Sequence, residues 1–274
     1  MTRSLTRSSL TGALLALPLL VFLVAAVGWP LASLTRHALS GPGWGAMRQV
    51  LAAGRYRTAL VNSLGLSAAA AFCSVLLAVG PAWILARERF PGRDALRTAI
   101  SLPLTFSGVL VGFLMVVLLG RIGVIPEALA ALTGRRIFAG AAYTVAGLFL
   151  AYLYFELPRA VMTLESAFRR FPRELDAAAR TLGAGPLQRL LKVGLPLAAP
   201  ALRSTLAVTF SASMGSFGVA LILSRRFTVA PLEIYTEMTG YLNDEVAGAL
   251  ALLLAVSTLA VDRLLSTGKS AGKR

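Results

Sequence analysis

Apolar positions in this chain gather into six long runs without a single charged side chain: 12–34, 59–86, 98–120, 137–155, 204–224 and 246–261. A helix needs about 20 apolar residues to cross a hydrocarbon core about 30 Å thick. The last run is short, but it continues through Leu264 and Leu265 if Asp262 and Arg263 lie at the interface, where long side chains can snorkel. None of the runs shows the polar alternation of a barrel strand. The pattern predicts an all-α membrane protein with six transmembrane helices.

Arg3 and Arg7 precede the first run, as in a signal peptide. That run exceeds the usual apolar region of about 7–15 residues, and no small-residue cleavage site leads into a soluble domain. It reads as a retained first span. The expected organisation is an N-terminal tail at 1–11, a membrane domain at 12–265 and a C-terminal tail at 266–274. A long polar loop at 158–200 separates spans four and five.

Composition agrees. Of 274 residues 57% are apolar and 14% charged, against roughly a quarter charged in ordinary soluble domains. The net charge of +15 raises a nucleic-acid reading. The arginines sit in short loops between apolar runs, which a cationic bias of cytoplasmic loops explains better. With the N-terminus inside, the inner segments hold 18 of the 27 Lys and Arg and the outer ones 9. Both termini are therefore expected in the cytoplasm. Cys73 and His37 are the only cysteine and histidine. Disulfides, metal sites and histidine-based catalysis have almost nothing to draw on, so no catalytic residue, metal or cofactor is assigned.

The loop at 158–200 is patterned. Pro172 suits the first turn of a helix, and Glu174 and Asp176 favour its positive end. Leu175, Ala178, Ala179 and Leu182 share one face, and Gly183 is placed to stop the helix in a left-handed conformation. Pro186 can begin a second amphipathic helix carrying Leu187, Leu190 and Leu191. Two uses fit this pattern: a helix pair lying on lipid headgroups, or a docking surface for a cytoplasmic partner.

The stretch from Asp176 to Gly183, followed nine residues later by Val193-Gly-Leu-Pro196, resembles the EAA loop of binding-protein-dependent ABC importer permeases. That motif reads Glu-Ala-Ala, three residues, Gly, nine residues, Ile-x-Leu-Pro. Ala178, Ala179, Gly183, Leu195 and Pro196 match, Val193 stands for Ile, and Ala177 stands where the motif has Glu. Asn62-Ser63-Leu64, Leu157-Pro158 and the run at 231–235 also resemble the family. The resemblance covers roughly 60–265.

It implies a permease subunit of a bacterial inner membrane without chemistry of its own. A second permease copy or homologue, two cytoplasmic ATP-binding subunits and a periplasmic or lipid-anchored solute-binding protein are implied as partners. Glu174, Leu175, Asp176, Ala177, Ala178, Ala179, Leu182 and Gly183 are implied as the ATPase-coupling helix. No Gly-x4-Gly-Lys-Ser/Thr phosphate loop occurs in the chain, so ATP hydrolysis is expected in another one.

Ser211, Ser213, Ser216 and Gly218 are the expected substrate path, because small residues permit close helix approach and hydroxyls can meet solute. Asn62, Ser63, Ser67, Ser101, Thr105, Ser107 and Tyr152 are further polar positions within spans, better suited to packing. Glu156 is expected at the cytoplasmic end of span four, as an interfacial or ion-paired residue. Resemblance in the last third of the chain points to the branch handling polyamines, ferric iron, sulfate, thiamine or phosphonates, with polyamine- or phosphonate-type solutes favoured. The alternative is an ion-coupled secondary transporter, against which the scarcity of buried ionisable groups argues.

Overall fold

The computed structural model describes residues 17–39, 44–225 and 227–266. The expected tail at 1–11 lies outside them, as do all of the expected tail at 266–274 beyond Ser266 and the side chains of His37 and Arg173. No strand forms among the described residues. Six helices there are long and apolar enough to cross a membrane, as the runs predicted.

In chain order the helices are α1 (Leu17–Arg36), α2 (Gly45–Ala52), α3 (Gly54–Arg87), α4 (Arg93–Ser101), α5 (Gly108–Leu119), α6 (Val124–Thr133), α7 (Val145–Arg169) and α8 (Arg173–Thr181). They continue with α9 (Pro186–Met214), α10 (Phe217–Leu223), α11 (Ala230–Thr239) and α12 (Asp244–Ser266). The chain divides into two compact units. One holds residues 1–54 and 234–253, the other 55–233 and 254–274.

In the first unit, Ala46 and Val50 of α2 and Val246, Ala247, Ala249 and Leu250 of α12 are buried. The second unit contains the loop and three apolar clusters. One joins Leu66 and Ala70 of α3 to Val111 and Met115 of α5, to Leu148, Ala151 and Tyr152 of α7, and to Val219, Ala220 and Leu223 of α10. Another joins the later half of α3 to the later half of α7 and Ala198 of α9. In it Trp83 meets Phe168 edge-on, with ring centroids 5.2 Å apart. The third packs Ala71 of α3 against Phe210 and Met214 of α9.

Lipid tails give apolar helices little reason to leave one another or to associate, so small residues that permit close approach decide where helices cross. Here α5 and α10 cross on glycines. A Cβ on Gly218 would lie 2.8 Å from the Val109 backbone nitrogen, and one on Gly112 would lie 2.8 Å from Ile222 Cβ. Likewise, a Cβ on Gly194 would come within 2.6 Å of the Trp83 ring. These positions accept no side chain without a shift.

Several span boundaries differ from the sequence reading, and proline and glycine account for it. The run at 98–120 is two elements: α4 ends at Ser101, a 3-10 turn covers Leu102–Thr105, and α5 starts anew at Gly108. Pro103 cannot donate to the helix ladder, and Ser107 caps α5 by accepting the Leu110 N–H at 3.3 Å. The fifth span begins at Pro186, well before position 204. The second loop helix does not stop but runs on through a π turn at Leu190–Gly194 into the membrane helix. A π turn just ahead of Pro196 makes room for a residue without an N–H. The fourth span is α7, which starts at Val145 rather than 137 and continues through Pro158 to Arg169.

The candidate coupling loop and path

Helix α8 ends as its sequence dictates. Gly183 takes φ +78°, the Ala184 N–H reaches back to the Ala179 carbonyl at 3.0 Å, and the Gly183 N–H to the Arg180 carbonyl at 2.9 Å. This pair of bonds is the glycine-dependent C-terminal cap, and a β-branched residue would resist that φ.

The two faces of α8 differ sharply. Leu175 is 45% and Leu182 is 87% exposed, and Ala177 and Ala178 are exposed with them. Large apolar side chains are thus presented outward beside small ones. The opposite face carries Asp176, which is buried. Arg189 at the start of α9 donates from Nη1 to both Asp176 oxygens, at 2.9 and 3.0 Å. Its Nη2 donates to Glu88 Oε1, just beyond α3, at 2.9 Å. Arg180 reaches Glu88 and Asp176, each at 3.3 Å. Two carboxylates and two guanidiniums therefore lock the rear of α8 to the end of α3 and to α9. Glu174 is exposed and takes no part. Of the two acidic residues near the missing motif Glu, one is an internal anchor and the other stands at the surface. The network could not be read from the sequence, because Glu88 lies about 100 residues from its arginine partner.

Most polar positions within the spans make structural bonds. Asn62 Nδ2 donates to the Thr228 carbonyl at 2.9 Å, and Ser63 Oγ accepts the Ala230 N–H at 2.8 Å. Ser101 and Thr105 donate to carbonyls of their own turns. Tyr152 Oη donates to the Ser216 carbonyl at 3.0 Å. That bond spans the break at Gly215 and Ser216, where α9 gives way to α10. The expected path run is thus not one helix face. Ser211 and Ser213 close α9, Ser216 sits in the break, and Gly218 is spent on the α5 crossing. Ser213, with Ser67 and Ser74 of α3, is a buried hydroxyl without a hydrogen-bond partner among the described residues.

Glu156 also departs from expectation. Since α7 extends to Arg169, Glu156 lies near the middle of the helix, buried, with Arg159 Nη1 on its two oxygens at 2.9 and 2.7 Å. It is ion-paired as expected, but not terminal. Among the described residues no group of His, Cys, Asp and Glu is arranged to hold a metal ion.

Six spanning helices and a capped amphipathic loop helix ahead of the fifth define the membrane subunit of a transporter. The chain belongs to the family of binding-protein-dependent transport system inner membrane components, which it matches over residues 74–266. It is an ABC importer permease subunit of the type I group, a multi-pass membrane protein. It is 36% identical over 204 residues to the molybdenum transport system permease protein ModB of Mycobacterium tuberculosis, covering 73% of this chain and 75% of that one. It is 32% identical over 184 residues to a probable sulfate transport system permease of Nephroselmis olivacea, covering 65% of this chain and 63% of the relative's length. In fold it resembles a chain of a bacterial alginate ABC transporter crystallised with an alginate-bound periplasmic protein. That match has a TM-score of 0.84 and 19% identity, over 98% of this chain and 96% of that one.

Proposed function

We propose that this subunit forms the path for a tetrahedral oxyanion of the sulfate or molybdate type, released by a solute-binding protein and driven by ATP hydrolysis in separate subunits. Relatives named for sulfate and molybdenum support the solute class. Polyamines and phosphonates, which the sequence favoured, have no counterpart among them. Charge points the same way. The segments assigned to the outer side carry nine arginines against five carboxylates, a net excess of positive charge, and Arg225 lies over the Tyr143 ring at 4.4 Å. Such a surface attracts an oxyanion and repels a polyamine.

The observation that carries the ATP-coupling role is the outward apolar face of α8, held from behind by buried ion pairs. A cytoplasmic ATPase would take Leu175, Ala178 and Leu182 into a groove, with Ala177 and Ala179 letting its backbone approach. Closure of two ATPases, each on one permease of a pair, would then move α9 directly, because α8 is locked to its first turn. The ATP-binding subunits, the second permease and the binding protein remain separate chains in this scheme, and both termini lie in the cytoplasm. A reporter at Ala184 read from inside and one at Arg135 read from outside would agree with that orientation; the reverse pattern would refute it.

The test of function is uptake by cells with and without the chain. Loss of sulfate or molybdate accumulation, with polyamine uptake unchanged, is the expected result. Lost polyamine uptake with normal oxyanion uptake would overturn the solute class. Oxyanion uptake that survives ATP depletion would favour the secondary transporter instead.

A further inference from the structure

Five polar residues of α7 recur at i, i+4, i+7, i+11 and i+14: Tyr152, Glu156, Arg159, Thr163 and Ser166. At about 3.6 residues per turn that spacing draws one line down a single face of the helix. The line begins beside the break between α9 and α10, where Tyr152 Oη holds the Ser216 carbonyl. Exposure grows along it. Tyr152 and Glu156 are buried, the Arg159 side chain is 28% exposed, and Thr163 and Ser166 are exposed. On the opposite face the exposed residue is apolar, Leu150.

An arginine and two hydroxyls at the surface of a spanning helix make a costly contact with lipid, and such groups face a bundle interior or a water-filled cavity. Arg159 does not escape by snorkelling. Its Nη1 is tied to both oxygens of Glu156, one turn back towards the start of α7, and its guanidinium lies 5.4 Å from the centroid of the Phe155 ring. With α7 running inward, both neighbours hold the cation away from the cytoplasmic end. Its Nε and Nη2 have no hydrogen-bond partner among the described residues. A guanidinium with one edge tied and the other open can fork onto the oxygens of a sulfate-like group. Glu156 also tempers the site. A carboxylate beside the cation weakens its hold on an anion, and conduction needs binding strong enough to enter and weak enough to leave.

We propose that this stripe lines the inner half of the solute path and that Arg159 is the residue that meets the oxyanion there. The role of Arg159 rests on the solute class proposed above; the lining role of the stripe does not.

Two measurements on the full chain, assembled with its ATPase in proteoliposomes, keep these apart. The first is independent of the solute. In a Cys73→Ala background, which removes the chain's one cysteine, Thr163→Cys and Leu150→Cys are each treated with a charged methanethiosulfonate. Thr163→Cys should react in the nucleotide-free complex, and several-fold more slowly once vanadate traps the ATPases closed, because the inner half of an alternating path then shuts. Leu150→Cys should stay unreactive in both states. No reaction at Thr163→Cys, or a reaction that ignores nucleotide state, removes the stripe from the path. The second measurement compares Glu156→Gln with Arg159→Gln against Glu156→Gln with Arg159→Lys. Both pairs of changes abolish the ion pair, but only the second keeps a cation. With loaded binding protein, uptake of radiolabelled sulfate or molybdate should be about tenfold faster or more in the lysine variant. Equal uptake by the two, whether normal or lost, would mean that Glu156 and Arg159 only hold the fold together, and overturns the role of Arg159. A wild type that takes up neither anion refutes the solute class and the role of Arg159 with it, while the thiol labelling still decides whether the stripe lines the path.

Discussion

Arg189 closes on Asp176 with one nitrogen between two carboxylate oxygens, at 2.9 and 3.0 Å, and both residues are buried. The pair joins the loop helix to the first turn of the fifth span, so movement of one must carry the other. Removing one partner of a buried pair leaves a charge uncompensated, at about 3–5 kcal/mol. Here Glu88 also holds Arg189, so Asp176→Asn should cost less, about 1–3 kcal/mol. The expected outcome is a lower Tm and weaker coupling of ATP hydrolysis to uptake, with partial recovery in the exchange of Asp176→Arg with Arg189→Asp. Wild-type Tm and coupling in Asp176→Asn would show that the pair carries no motion.

The glycine crossing makes a sharper stability prediction. Gly112→Ala and Gly218→Ala each place a methyl where 2.8 Å separates it from Ile222 or from the Val109 backbone. Overpacking of this kind costs about 1–3 kcal/mol. Gly65→Ala in α3 has nothing within 4 Å, and replacing a helical glycine should gain up to about 1 kcal/mol. Thermal unfolding in detergent should order the variants with Gly65→Ala at or above wild type and the other two below it. Equal stability for all three would mean that α5 and α10 do not cross on these glycines.

How far the sequence went depends on the distance over which each feature is encoded. Six spans followed from local hydropathy, and the α8 cap from Gly183 and its neighbours, because both are written within one element. The break at Gly215 was hidden because Ser211 to Gly218, small residues interrupted only by Met214 and Phe217, contains no proline or charge to mark the end of a helix. Glu156 was misplaced because the uncharged run ends at Phe155, whereas α7 continues through Pro158 to Arg169. The rear of α8 was beyond reach. Asp176 looked like a dipole partner at a helix start, and nothing local names Glu88 as its neighbour across the Arg189 bridge.

The serine positions separate path from packing. Ser213 and Ser67 are buried hydroxyls without hydrogen-bond partners among the described residues, so alanine there removes no hydrogen bond within them. If they meet passing oxyanion, Ser67→Ala and Ser213→Ala should lower uptake several-fold at unchanged Tm. Ser63→Ala should behave oppositely, since it orphans the Ala230 N–H at a cost of about 1–3 kcal/mol. Uptake at wild-type rates in both Ser67→Ala and Ser213→Ala would remove those hydroxyls from the path.

The coupling assignment rests on the outward face of α8, and its test must avoid the residues that hold the helix from behind. Arg180→Glu would seem to distinguish a lipid-surface helix from a docked one, but Arg180 is paired with Glu88 and Asp176. Reversing its charge would disturb the network under either role. Ala178 and Leu182 are better probes, being exposed and outside the network. Ala178→Asp puts a charge where an ATPase groove would desolvate it. Gly183→Val forces a β-branched residue toward φ +78° and should deform the helix end. Both proteins should insert normally and lose stimulation of ATP hydrolysis by loaded binding protein. Leu182→Gln supplies the discriminating case. A helix lying on headgroups would lose the membrane contact of one leucine, about 1.5–3 kcal/mol, with the ATPase still copurifying. A helix seated in a groove would lose the ATPase itself. Stoichiometric, stimulable ATPase in all three variants would mean that α8 is not the coupling element.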